Sequence, residues 1–157
     1  MTREEYNQDT ASEIIAGFEN RPEMLVQILH AFMDRFGFIS TDAVRQLGEQ
    51  LNLSRADVHG VVSYYHDFRT EPAGKHIVKI CEAEACQSMG SRDLTEHAKQ
   101  SLGVGMHESN DSVTLEPVYC LGNCACSPAI MVDGKTFGRV SPERFDEIVA
   151  KMGGAGS

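Results

Sequence analysis

The stretch Lys75-His76-Ile77-Val78-Lys79-Ile80-Cys81-Glu82-Ala83-Glu84-Ala85-Cys86 decides how the rest of the chain reads. Residues 75–80 are rich in β-branched side chains and predict a strand that runs straight into Cys81. The remainder is short and polar, predicting a loop that ends at Cys86. Downstream, Val113-Thr114-Leu115-Glu116 alternates as a second strand, and Cys120-Leu121-Gly122-Asn123-Cys124 follows it, with Cys126 two residues on. Each cysteine pair is therefore expected in a loop just past a strand. Two adjacent loops at one end of a sheet bring four thiolates around one small inorganic core, the ligand set an iron–sulfur cluster requires.

Working outward, Asp93 to Leu102 predicts a helix with Leu94, Ala98 and Leu102 inward. Ala129-Ile130-Met131-Val132, Asp133-Gly134 and Lys135-Thr136-Phe137 form a strong hairpin signal, because the central pair tolerates positive φ. Ser141-Pro142-Glu143 opens a last helix with cap, proline and acid in order, and Phe145, Ile148, Val149 and Met152 give its apolar stripe. The tail from Gly153 to Ser157 is expected to be mobile.

Upstream of Thr70-Glu71-Pro72-Ala73-Gly74 the periodicity is helical. Arg21-Pro22-Glu23 marks a helix start, with Leu25, Ile28, Leu29, Phe32, Met33 and Phe36 along one stripe and Gly37 at its end. Ser40 or Thr41 caps a helix that buries Ala43, Val44, Leu47 and Leu51. Ser54-Arg55-Ala56-Asp57 has the form of a capping box, leading a helix with Val58, Val61, Val62 and Tyr65 inward. Residues 8–19, with Ile14, Ile15 and Phe18, predict one more. The expected architecture is α+β: a small helical bundle over residues 1–72, then an α/β domain over 73–157.

The chain has 157 residues, 41% of them hydrophobic, five cysteines and a formal charge of −9. No apolar run approaches the roughly 20 residues a bilayer demands. The segment Met1 to Tyr6 lacks the apolar core of a secretory signal, which points to a reducing, cytoplasmic setting where disulfides are rare. The acidic balance argues against a broad nucleic-acid surface. The cysteines are therefore read as metal ligands. Structural zinc is the main rival to iron–sulfur, although its usual short C-x2-C knuckles are absent. A thioredoxin-type dithiol needs C-x-x-C, and a Rieske site needs two histidines among its ligands. None of His30, His59, His66, His76, His97 and His107 lies in either cysteine loop. Cys126 reads as a small apolar neighbour of the cluster, with an occasional substitute ligand as the alternative.

Cys81-x4-Cys86 with Cys120-Leu121-Gly122-Asn123-Cys124 resembles the thioredoxin-like [2Fe–2S] ferredoxin family, which includes the 24-kDa-type subunit of respiratory complex I. The helical segment Val61-Val62-Ser63-Tyr64-Tyr65-His66-Asp67-Phe68 is similar to the bundle preceding the ferredoxin domain in such subunits. Ala125-Cys126-Ser127-Pro128-Ala129-Ile130-Met131-Val132-Asp133-Gly134 resembles the gamma subunit of NAD-dependent molybdenum formate dehydrogenases. The resemblance implies a thioredoxin-like α/β domain and one [2Fe–2S] cluster on Cys81, Cys86, Cys120 and Cys124. It also implies electron transfer without catalytic residues, an FMN- and NAD-binding flavoprotein partner, and a larger molybdenum-containing iron–sulfur subunit. FMN, NAD and the molybdenum cofactor would all lie on those partners, and the chain itself has neither G-x-G-x-x-G nor a P-loop. Equivalent subunits of complex I or of an NAD-reducing hydrogenase would read the same way.

Two other classes compete. Thr41 to Tyr65 resembles a helix-turn-helix, as in an iron–sulfur redox regulator of transcription, but residues 54–65 offer only Arg55 and His59 as basic groups. A freestanding ferredoxin shuttle would use the same cysteines and purify as a monomer.

Overall fold

The computed structural model describes residues 4–154; Met1–Arg3 and the end of the expected mobile tail, Ala155–Ser157, lie outside the described residues. The chain divides into two compact units, Met1–Pro72 and Ala73–Ser157.

The first unit is helical: α1 (Gln8–Gly17), α2 (Leu25–Phe36), α3 (Thr41–Leu51) and α4 (Arg55–Tyr64). Local chemistry sets the boundaries. Asn7 accepts from the backbone N–H groups of Asp9 and Thr10 at the start of α1, and Ser40 accepts from Ala43 at the start of α3. The capping box at Ser54 and Asp57 is complete in both directions, satisfying donors the helix leaves open. The expected start at Arg21-Pro22-Glu23 is instead a single 3₁₀ turn, Pro22–Met24, ahead of α2. The interior is built from Ile15, Ile28, Leu29, Phe32, Leu47 and Val58, all fully buried. Each such side chain contributes about 1.5–3 kcal/mol of apolar transfer. Gln46 is buried among them because every polar end is occupied: Nε2 donates to Gln8 O at 2.9 Å and to Ser12 Oγ at 2.8 Å, and Tyr6 donates to Oε1. Tyr65 departs from expectation. It lies just past the end of α4 in extended backbone and is 43% exposed, because the helical stripe stops at Tyr64.

The second unit is a five-stranded sheet with helices. Its strands are β1 (His76–Cys81), β2 (Glu108–Ser109), β3 (Val113–Val118), β4 (Ile130–Val132) and β5 (Lys135–Phe137), in the order β2-β3-β1-β4-β5. Strands β1 and β3 are parallel, with His76 opposite Val113 and Cys81 opposite Val118. The connection between them carries α5 (Glu84–Ser88) and α6 (Ser91–Leu102), the crossover a parallel pair requires. Strands β4 and β5 form the expected hairpin, with Asp133 at φ 47° and Gly134 at φ 83° in the turn. The core joins Val78, Ile80, Leu115 and Ile130 of the sheet to Leu94 and Ala98 of α6 and to Phe145 of α7 (Pro142–Gly154). Helix α7 takes in Gly153 and Gly154, which the sequence pattern assigns to the tail; glycine lowers helix propensity without forbidding a last turn. Among the described residues no helix is long and apolar enough to cross a membrane.

Candidate functional site

The parallel register brings the carboxyl ends of β1 and β3 to the same edge of the sheet, the side where open α/β sheets place their ligands. Strand β4 runs antiparallel to β1, so the segment entering it arrives at that edge too. Two backbone bonds hold the junction: Cys81 N–H donates to Ala129 O at 3.0 Å, and Glu82 N–H donates to Val118 O at 2.9 Å. All four expected ligands lie on segments that meet here.

Their settings differ from the simple loop expectation. Cys81 is the last residue of β1, Cys86 sits on the short helix α5, and Cys124 opens a 3₁₀ turn that runs to Cys126. Helix α5 escapes a sequence reading because five residues carry too little periodicity to register; Ala85, Gln87 and the first-turn acid Glu84 nevertheless suit a helix. Cys81 and Cys86 are buried with Ala129, against Ala83, Val118 and Leu121. Cys120 and Cys124 are exposed. The thiols thus form an inner pair and an outer pair.

The outer pair is spaced close to what one metal ion would need. Cys120 Sγ and Cys124 Sγ are 3.6 Å apart, and two thiolates on one tetrahedral ion with bonds of about 2.3 Å lie about 3.8 Å apart. Cys120 holds a φ of 94° and Gly122 one of 71°, so the chain curls back and Gly122 N–H points at Cys120 Sγ from 3.3 Å. A positive φ on a cysteine is strained, and a residue without Cβ two positions on lets the amide reach the sulfur. Burial pushes the Cys81 thiol up, but donors from the Ala83, Leu121 and Cys120 backbone and from Cys86 outweigh it and hold Cys81 below the usual thiol range. Cys124 is pushed up, first by its hydrogen bond with Cys120, then by the negative charge developing at Cys120, by slight desolvation, and by Cys86 and Cys81.

Among the described residues, no three His, Cys, Asp or Glu side chains converge as tightly as one ion would require. A two-iron core takes its four sulfurs as two pairs, and the inner and outer pairs fit that division. Within the second unit, His76 bonds Asp133 at 2.7 Å and His97 bonds Asp146 at 2.8 Å; in the first, His30 packs edge-on to Phe68. Gly103 ends α6 with φ 66°, in keeping with a turn. Cys126 is half-buried, and its N–H donates to Asn123 O at 2.9 Å. Ser127 is a polar residue of this site that spacing could not reveal, since its role depends on a through-space contact with Cys86 at 3.4 Å. Two large side chains within three residues of a cysteine are open to solvent, Met89 at 61% and Tyr119 at 67%.

Residues 11–153 match the family thioredoxin-like [2Fe-2S] ferredoxin. The chain belongs to that family, whose cofactor is one [2Fe–2S] cluster. A subunit of the NADH-quinone oxidoreductase of Pseudomonas aeruginosa is 30% identical over 128 residues, which cover 80% of this chain and 77% of that protein. The like-named subunit from Mycobacterium tuberculosis is 32% identical over 144 residues, 90% of this chain and 57% of its own length. The NADP-reducing hydrogenase subunit HndA of Solidesulfovibrio fructosivorans is 27% identical over 144 residues, 88% of this chain and 84% of that one. An NAD+-reducing [NiFe]-hydrogenase in the air-oxidized state shares the fold, with a TM-score of 0.72 and 18% identity over 85% of this chain and 23% of the hydrogenase chain.

Proposed function

We propose that Cys81, Cys86, Cys120 and Cys124 hold the [2Fe–2S] cluster, and that the chain is the electron-transfer subunit of an NAD-dependent formate dehydrogenase working in the cytoplasm. The observation that carries the cluster assignment is the meeting of two thiol pairs at one sheet edge, the outer pair 3.6 Å apart. When bound, the cluster supplies one-electron transfer. The chain's own residues anchor and tune it. Cys81 and Cys86 fix it to the sheet and α5, the Gly122 amide stabilises charge on Cys120, and the exposed Cys120 and Cys124 bring its outer side to the surface.

The flavoprotein partner would cover that surface, with Met89 and Tyr119 as apolar contacts around the thiol pair. The residues 1–72 would serve as a docking module for the same assembly. The formate assignment rests on the resemblance of residues 125–134 and on nothing the chain does to formate itself. The relatives from Pseudomonas aeruginosa and Solidesulfovibrio fructosivorans favour a second reading, a subunit of complex I or of an NAD-linked hydrogenase. Purification of the chain at native expression with its bound partners separates these readings. Co-elution with a flavoprotein and a molybdenum subunit, with formate-driven NAD+ reduction, is the expected result. Co-elution with quinone-reducing or hydrogen-oxidising subunits would replace formate by that substrate, and a lone monomer would overturn the subunit reading.

A further inference from the structure

Ser127 is one of few buried polar residues in its unit, 8% exposed, and its hydroxyl faces two groups of the site. Ser127 Oγ donates to Cys124 O at 2.7 Å, and Cys86 Sγ lies 3.4 Å away, donating its thiol proton to the same oxygen. A serine hydroxyl has one proton and two acceptor lone pairs, and it rotates to suit its partners.

We infer that Ser127 is a positioning residue that sets the cluster's reduction potential by donating its hydroxyl proton to Cys86 Sγ; this rests on Cys86 being a cluster ligand. The argument is one of proton supply. A ligating Cys86 is a thiolate and has no proton to give. If the serine kept its proton on Cys124 O, its lone pairs would face a negatively charged sulfur at van der Waals range. Rotating the hydroxyl replaces that repulsion with a charge-assisted bond, the stronger of the two choices. The carbonyl of Cys124 loses a neutral bond on a segment where solvent is close at hand, since Cys124 is exposed. On the inner side the position of Ser127 is distinctive. Cys120 has an amide donor at its sulfur and Cys81 has several, whereas the side-chain donor available to Cys86 is this hydroxyl. Reduction would add one electron to the group these cysteines would hold, placing part of its negative charge on the sulfurs. A donor at Cys86 stabilises the reduced form more than the oxidised form.

The test uses the full chain with its cluster, in redox titrations followed by EPR, for wild type and for Ser127→Ala, Ser127→Thr and Ser127→Cys. Ser127→Ala should bind a full complement of iron and lower the reduction equilibrium about three- to tenfold, which is about 30–60 mV more negative at 59 mV per decade for one electron. Ser127→Thr keeps the hydroxyl and should restore the wild-type potential; Ser127→Cys, a weak donor, should fall between. Brief exchange of the wild type into deuterium oxide should introduce strongly coupled deuterons at the reduced cluster, from the Ser127 hydroxyl and from the exposed Gly122 amide, and the hydroxyl deuteron should be missing from Ser127→Ala and from Ser127→Val. Full iron with an unchanged potential in the Ala or Cys variant overturns the inference and leaves the ligand set standing. The same set of coupled deuterons in wild type and in Ser127→Ala, or in Ser127→Val where the Ala variant fails to fold, overturns it. A wild type without two irons defeats the ligand set and the inference together.

Discussion

A methyl group placed at Gly138 should loosen the cluster through the segment that carries Cys126. A Cβ built there would lie 2.6 Å from Cys126 Cβ, 2.6 Å from Asn123 Nδ2 and 2.9 Å from Cys126 O. Carbon atoms are comfortable at about 3.5–4.0 Å, so the Cys126 segment must retreat by about 1 Å. It cannot retreat alone, because Arg139 N–H binds Cys126 O at 2.6 Å and Cys126 N–H binds Asn123 O at 2.9 Å. Moving these groups shifts the 3₁₀ turn that starts at Cys124, whose sulfur is 3.6 Å from that of Cys120. A displacement of about 1 Å is large against such a separation. Overpacking of this kind costs about 1–3 kcal/mol, so Gly138→Ala should lower urea stability by that amount and speed loss of iron to a chelator. The control is Gly60→Ala on α4, where an added Cβ meets nothing within 4 Å; it should stabilise by about 0.5–1 kcal/mol. Gly138→Ala with wild-type stability and wild-type iron retention would refute the reasoning.

Further outcomes follow from other parts of the molecule. Cys120→Ser should abolish or strongly destabilise the cluster, whereas Cys126→Ser should leave it assembled, both read by iron and sulfide analysis. Phe145 is fully buried where α7 meets the sheet, and Phe145→Ala should cost about 3–5 kcal/mol in denaturant titrations. Asp146 is held below the usual carboxylate value of 3.8, first by its hydrogen bond from His97 and then, beyond a small desolvation effect, by Ser101 and the His97 charge. A depressed carboxylate contributes stability that is fully present above its unfolded pKa of about 3.9 and is lost as pH falls through the folded value. The difference in urea midpoint between wild type and His97→Ala should therefore shrink as pH falls below ~4.

The sequence carried most of the fold because its signals were local. Proline and acid at residues 142 and 143, the capping box at 54–57 and the Asp133-Gly134 turn each specify a short piece of backbone through their own chemistry, and each formed where expected. The cysteine spacing was legible for a related reason: β1 had to end at Cys81 for the apolar residues before it to enter the sheet core. What escaped was either too short or non-local. Helix α5 spans one turn, and β2 spans two residues that gain their strand form only by pairing with β3. The inner and outer character of the two thiol pairs depends on which segments cover them, and the contact between Ser127 and Cys86 joins residues 41 positions apart. No periodicity encodes such a pair.

The ligand set itself is open to a single spectroscopic measurement. The chain, expressed with iron and reduced anaerobically, is analysed for iron and acid-labile sulfide while its EPR spectrum is recorded. The expected result is two irons and two sulfides per chain with one rhombic or axial S = 1/2 signal, all of it lost when Cys86 or Cys120 is replaced by serine. A colourless chain that retains zinc on the same cysteines, or full cluster assembly in the Cys120→Ser protein, would contradict it.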